Sequence, residues 1–266
     1  MNPENRTIAQ IFWILRVGVA MEFIGHGALG ALHLAPTWTS YFAVVGISKE
    51  AALRWMPIVG AFDITMALAV LFYPMRGAVM YMAAWGLWTA VLRPLAGESA
   101  WEAVERAGNY GAPLALFLLA KGGTRSWTAF NHPVALEEKL RRSIGRILQW
   151  STVLLLLGHA LLGLWVRKPI FVGQYALLGL TGTWVEPLIG AFECVLALAV
   201  LIQPGVGLLL FVLAWKLATE ALSPMAGSSI WVFIEHGGSY AAPLALALLR
   251  QKRELPAPEV LRRSPA

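Results

Sequence analysis

Apolar residues in this chain run in blocks of about twenty, the length an α-helix needs to cross the hydrocarbon layer of a bilayer, and short breaks rich in Pro, Gly and charge separate them. No other feature narrows the fold so far. With 58% hydrophobic residues, 14% charged residues and a mean hydropathy of +0.64, water is excluded as the main solvent. The expected fold class is all-α, a polytopic transmembrane bundle in the cell membrane. The first apolar block, near residues 8–32, is too long for a secretory signal and lacks a typical cleavage site, so it reads as a retained helix. Of the 12 tryptophans, Trp13, Trp38, Trp55, Trp165, Trp184 and Trp231 fall near expected span ends, where an interfacial belt accounts for them.

The chain repeats itself. Gly60-Ala61-Phe62-Asp63 and Ala67-Leu68-Ala69-Val70-Leu71 return 130 positions later as Gly190-Ala191-Phe192-Glu193 and Ala197-Leu198-Ala199-Val200-Leu201. At the same offset Trp85, Pro94, Trp101, Glu105, Gly108 and Tyr110 return as Trp215, Pro224, Trp231, Glu235, Gly238 and Tyr240. Upstream, Gly25-His26, Gly30 and Gly46 match Gly158-His159, Gly163 and Gly179 at an offset of 133. A three-residue deletion in the second copy reconciles the two offsets, and the pattern reads as a duplication.

Each copy is expected to hold four helices, at 8–33, 51–73, 76–93 and 107–121 and at 144–166, 184–203, 205–222 and 237–250. The stretch 99–106 has helical composition and would lie along the interface or re-enter the membrane. The implied organisation is a first repeat at 1–121, a polar linker at 122–143 containing Asn131-His132-Pro133, a second repeat at 144–250 and a tail at 251–266. Basic residues gather in the linker (Arg125, Lys139, Arg141, Arg142) and after the last span (Lys252, Arg253, Arg262, Arg263), which places both, and with them both termini, in the cytoplasm. Arg167 and Lys168 oppose this orientation but are outnumbered. The two four-helix units would then be parallel repeats, about eight helices in all, related by an axis near the membrane normal.

The net charge of +6 follows from this topology, and no basic strip interleaved with exposed aromatics suggests nucleic acid. The lipid bilayer is the expected partner. A single cysteine, Cys194, excludes an internal disulfide, a CxxC pair and a Cys-ligated cluster within the chain.

An ionisable side chain inside a span is a candidate site with a partner to be found. Glu22 and His26 share a face of the first helix, Asp63 opens the second, and Arg93 and Glu98 flank the end of the third. Such a set suits proton handling or ligand binding, or else charge pairing that fixes packing. The run from Arg93 to Glu98 and on through Glu105, Arg106, Asn109 and Tyr110 is the expected outer-face site. The second copy keeps Glu235 and Tyr240 but has Ser223, His236 and Ser239 where the first has Arg93, Arg106 and Asn109, so the copies are not expected to do identical work. Lys216 and Glu220, four apart, occur only in the second copy and suit an intrahelical ion pair near Glu193.

His26 and His159 occupy equivalent positions. They would either ligate a haem iron between them across an internal interface or bond to carboxylates and carbonyls. Glu22, His26 and Asp63 match no recognised metal spacing, and no metal is expected. The partner expected for Asp63 is Arg16 or His26, and for Glu193 it is His159 or Lys216. The glycines of Gly25-His26-Gly27-Ala28-Leu29-Gly30 form a strip suited to close helix approach.

The four-helix unit, its glycine-rich first helix and the helix-two starts Val59-Gly60-Ala61-Phe62-Asp63 and Ile189-Gly190-Ala191-Phe192-Glu193 resemble the DoxX-like superfamily of small membrane proteins. The resemblance covers each half, whereas typical members have a single unit. It implies a four-helix membrane bundle and, for some members, association with thiosulfate:quinone oxidoreductase or other redox complexes. Asp63 and Glu193 would be the acidic positions of helix two, and Cys194 as the sole thiol departs from any thiol-based role. The expectation is an auxiliary or quinone-linked subunit of a membrane redox complex. A proton-coupled small-solute transporter and a haem-binding electron carrier are the alternatives.

Overall fold

The computed structural model of the protein describes residues 3–121, 127–128 and 136–251, and these are helical with no strand among them. Asn131-His132-Pro133, Arg125 and the tail cations Lys252, Arg253, Arg262 and Arg263 lie outside the described residues. The long helices are α1 (Pro3–Ala31), α3 (Lys49–Phe72), α4 (Arg76–Leu95), α6 (Ala107–Lys121), α7 (Glu138–Leu161), α9 (Val185–Ile202), α10 (Val206–Met225) and α12 (Gly237–Gln251). Between them lie four short ones, α2 (Trp38–Val44), α5 (Ala100–Glu105), α8 (Pro169–Ala176) and α11 (Ile230–Glu235). A π-helical turn, Leu162–Val166, continues α7.

Among the described residues, six segments are long and apolar enough to cross a membrane: Glu4–Ala31, Lys49–Phe72, Glu138–Val166, Val185–Ile202, Val206–Met225 and Ile230–Gln251. Tyr81, Trp85, Trp88 and Arg93 make α4 less apolar, and α6 has only 15 residues. The surface is that of a protein solvated by lipid. Phe62, Leu68 and Phe72 on α3 and Leu188, Val195 and Ile202 on α9 are exposed, whereas Asp63, Glu193 and Lys216 are fully buried. This reverses the usual distribution in water. The chain is a helical, multi-pass membrane protein.

Four helices form the inner bundle. α1 packs on α12 and α6, α7 packs on α6 and α12, and α6 meets α12. Outside them, α3 lies on α1, α9 on α7, α4 on α6 and α10 on α12. The burial follows this arrangement, with 72% of the apolar window in Ile230–Gln251 covered but only 28% of that in Lys49–Phe72. The inner helices share one core that includes Phe12, Leu15, Leu116, Leu119, Leu148, Leu155 and Leu246.

Close approach between the halves is set by missing side chains. A Cβ on Gly25 would strike the backbone of Glu235, and a Cβ on Gly158 would strike that of Glu105. Gly108 and Gly238 meet in the same way, with Gly238 against the Gly108 carbonyl. In hydrocarbon, where apolar surfaces gain little by associating, such backbone contact is a main source of helix adhesion.

The stretch 99–106 is a separate helix. Ser99 and Ser229 cap α5 and α11 by accepting from the backbone N–H of Trp101 and Trp231, each at 3.3 Å. Each short helix then breaks at one residue, Arg106 or His236, before α6 or α12 begins. Their side chains therefore enter the middle of the inner bundle.

Candidate functional site

Each half holds a histidine on its first long helix against an acid on its second. His26 Nδ1 lies 2.8 Å from Asp63 Oδ2, and His159 Nδ1 lies 2.6 Å from Glu193 Oε2. The short helices α2 and α8 close over these pairs. Trp38 lies tilted against His26 with ring centroids 4.4 Å apart, and the ring of Phe171 lies 4.7 Å from that of His159. Trp38 is thus buried and serves as a wall of the site, which corrects its expected role in an interfacial belt. Trp13, Trp55, Trp165 and Trp184 are exposed, and Trp231 is half-buried.

The pairs differ in what completes them. In the second half the other oxygen of Glu193 accepts from Trp215 Nε1 at 2.8 Å, giving a closed His159–Glu193–Trp215 triad. In the first half the corresponding atoms, Asp63 Oδ1 and Trp85 Nε1, have no hydrogen-bond partner among the described residues. Asp is one methylene shorter than Glu, about 1.5 Å of reach, and the shorter acid leaves both groups unsatisfied. A buried polar group left in that state costs about 1–3 kcal/mol.

His26 and Trp85 line a cavity of ≈ 210 Å³ walled by Trp38, Tyr41, Trp88 and Leu92, with Arg93, Arg106 and Glu235 at its polar end. Arg93 lies 3.1 Å from Glu98 and 3.6 Å from Glu102, and Tyr41 donates to Glu98. Burial pushes the Tyr41 phenol up to about 12, so it remains a donor at neutral pH. Lys168 of the second half reaches Glu102 at 2.7 Å. Arg93, Glu98 and Tyr41 therefore form one rim of an apolar chamber whose inner wall carries an imidazole backed by a carboxylate. Such a chamber suits a flat apolar molecule with a polar end.

The broken helices bring a second group together. Arg106 lies 2.8 Å from Glu235, and His236 lies 3.4 Å from Glu105. The two pairs exchange partners between the halves, since Glu105 and Arg106 precede α6 while Glu235 and His236 precede α12. Lys216 pairs with Glu220 at 2.6 Å, and Glu220 stands 3.7 Å from His236 Nδ1. His236 Nδ1 also donates to the Val232 carbonyl at 2.7 Å. Ligand atoms of Glu105, Glu220 and His236 lie within 4.8 Å of one another, but the Lys216 ammonium already supplies a cation there. Glu22 Oε2 and Asn109 Oδ1, both buried nearby, have no hydrogen-bond partner among the described residues.

The structure thus brings together Glu105, Glu220, Glu235, His236 and Lys216, with Glu22 and Asn109 beside them, and this charged centre adjoins the first His–acid pair, since Glu235 borders the His26 chamber and Glu22, His26 and Asn109 line one small pocket. Arg16 is not the partner of Asp63. Its guanidinium donates to the carbonyls of Val70 and Leu71 at the end of α3, the former at 3.2 Å. Gln149 does the same to Val200 and Leu201, each at 3.0 Å. Nor is Lys216 the partner of Glu193, because its own helix provides Glu220 one turn on. The imidazoles of His26 and His159 each engage the acid and the aromatic ring of their own half. Tyr41, Trp85, Glu102, Gln149, Lys168 and Trp215 were missed as candidates. Trp85 and Trp215 stood at the 130 offset and Arg16 and Gln149 at 133, so a search of the repeat for paired N–H donors would have found them.

Compared with protein-family models, with curated proteins and with solved structures, the chain gives no match. What the fold and site define is a helical membrane protein with a buried charged centre and an aromatic chamber in its first half.

Proposed function

We propose that this protein is an auxiliary, quinone-linked subunit of a membrane redox complex, of DoxX-like type, with the quinone headgroup held in the first-half chamber. The observation that carries this reading is the His26–Asp63 pair at the inner wall of an aromatic cavity that also contains an unsatisfied indole N–H. A quinone is a flat apolar ring with two carbonyl acceptors. Trp38, Trp85 and Trp88 offer the faces, and Trp85 Nε1, Tyr41 and Arg93 offer donors. The pair would accept or return a proton at the carbonyl, with Asp63 holding the imidazole in place. Electrons would come from the partner subunits, because the chain's one cysteine is not a redox pair.

This reading includes a tandem duplication, about eight spans in two parallel units and both termini in the cytoplasm of a cell-membrane protein. It is supported by reciprocal contacts at the repeat offsets, Gly25 on Glu235 and Gly158 on Glu105, and Arg16 and Gln149 on equivalent carbonyls. The backbone agrees, with positive φ at Leu34 and Arg167, at Gly46 and Gly179, and at Gly97 and Gly227.

The test is titration of the detergent-purified protein with a water-soluble short-chain quinone, followed by tryptophan fluorescence. Saturable quenching is expected in wild type and in His159→Ala, and its loss in His26→Ala and Asp63→Leu. Unchanged quenching in all variants overturns the reading. Purification from the native membrane should also retain an oxidoreductase. A second reading, proton-coupled solute transport, is favoured by the buried charges at two helix breaks, a feature of transporter cores. Uptake in proteoliposomes without any quinone binding would select it.

A further inference from the structure

Away from the chamber, at the opposite end of the inner bundle, a cavity of ≈ 490 Å³ opens between the first turns of α7 and the end of α12. Five cationic side chains line it: Lys139, Arg141, Arg142, Arg146 and Arg250. Among the described residues two acids stand near them, Glu4 at 3.9 Å from Arg141 and Glu138 at 4.0 Å from Arg142. Lys139, Arg142 and Arg146 recur at three- and four-residue spacing on one face of α7, an arrangement in which like charges repel.

Two features show that the cations are gathered around a space. Gly145 lies in the wall, and among the described residues a Cβ there would meet only the Leu249 side chain, at 3.3 Å, so the absence of a side chain keeps the cavity open. Arg141 is held by the Leu249 carbonyl at 3.1 Å, which ties α7 to α12 across the floor. Orientation of the spans needs positive charge near the membrane but not its convergence. In the first half the equivalent positions are Arg6, Ile8, Ala9, Trp13 and Ala120, so the duplicated fold forms without the cluster.

We infer that this cavity is a binding site for a phosphate-bearing anion, either the headgroup of an anionic phospholipid or free phosphate. Guanidinium groups bind phosphate oxygens through paired N–H bonds, and basic pockets between spans at the cytoplasmic side take up lipid headgroups. An anion there relieves the repulsion along α7 and bridges it to α12. The inference does not depend on what the first-half chamber binds.

The experiment uses the full chain in an uncharged detergent. Native mass spectrometry would count retained phosphatidylglycerol, cardiolipin and phosphatidylcholine, and thermal shift would be read with each lipid and with inorganic phosphate alone. Wild type is expected to retain the anionic lipids about tenfold over phosphatidylcholine. Arg142→Gln/Arg146→Gln/Arg250→Gln removes the charge, and Gly145→Leu fills the space at unchanged charge. Both are expected to abolish the preference while eluting as wild type. Stabilisation by inorganic phosphate alone, lost in the same variants, assigns the site to free phosphate; stabilisation by lipid only assigns it to a headgroup. Equal retention in wild type and both variants, or no effect of either anion source, overturns the inference.

Discussion

The two His–acid pairs stand at matching places in the sequence and have different fates in the structure. His159, Glu193 and Trp215 satisfy one another, and Phe171 and Tyr175 are buried over them. His26, Asp63 and Trp85 have the same residue order and nearly the same places, but the pair opens onto a cavity and two polar atoms lack partners. One methylene separates the cases. One half holds its pair as a finished strut, and the other leaves its pair with unmet hydrogen bonds beside a cavity, a local cost of the kind that functional sites carry.

The largest effect should come from cutting the closed triad. Glu193→Leu leaves His159 and Trp215 without their buried hydrogen-bond acceptor, at about 1–3 kcal/mol for each unsatisfied group. Thermal denaturation in detergent should show this loss, and Asp63→Leu should lose less than half as much, because His26 borders a cavity. Asp63→Leu should instead abolish quinone binding or complex assembly while reaching the membrane at wild-type level, since Leu is favoured in a span. If both acids cost equal stability, the distinction between strut and site fails.

Next in size is the indole pair. Trp215→Phe removes a hydrogen bond to a buried carboxylate and should cost about 1.5–3 kcal/mol, whereas Trp85→Phe removes an unsatisfied donor and should be close to neutral in stability. Fluorescence-monitored unfolding of both would read the contrast, and Trp85→Phe should weaken quinone binding. The smallest and most pointed change is Asp63→Glu. Supplying the missing methylene should let the acid reach Trp85, raise stability by about 1 kcal/mol and lower affinity for the quinone. A variant that gains stability and keeps full binding would show that the open hydrogen bonds do not serve the ligand.

Much of this could be read from residues alone, and the limits have physical causes. Apolar block length located the long helices to within a few residues, but α2 and α8 escaped because seven or eight residues between spans carry no decisive periodicity. The repeat singled out His26, Asp63, His159 and Glu193 as counterparts, and spacing gave Lys216–Glu220. Spacing could not choose between Arg16 and His26 for Asp63, since both lie on the same helix and reach differs only in three dimensions. Nor does a duplication say which helices are neighbours. That α1 would pack on α12, and α7 on α6, depends on contacts across halves such as Gly18 with Gly237 and Gly111 with Ser151. The exchange of partners between Arg106–Glu235 and His236–Glu105 was hidden for the same reason.

That exchange bears on how the protein is made. α1 leaves the ribosome well before α11 and α12, two of the helices it packs against, have been synthesised. Until then Glu22 lacks its cover from α12, and α5 and α6 wait with Arg106 lacking Glu235. Insertion of single spans and completion of the charged centre are therefore separate events in time. A chain stopped before Ile230 would keep most of its hydrophobic length and display its buried charges to the membrane, leaving an unfinished copy chemically distinct from a finished one to any protease that surveys the bilayer.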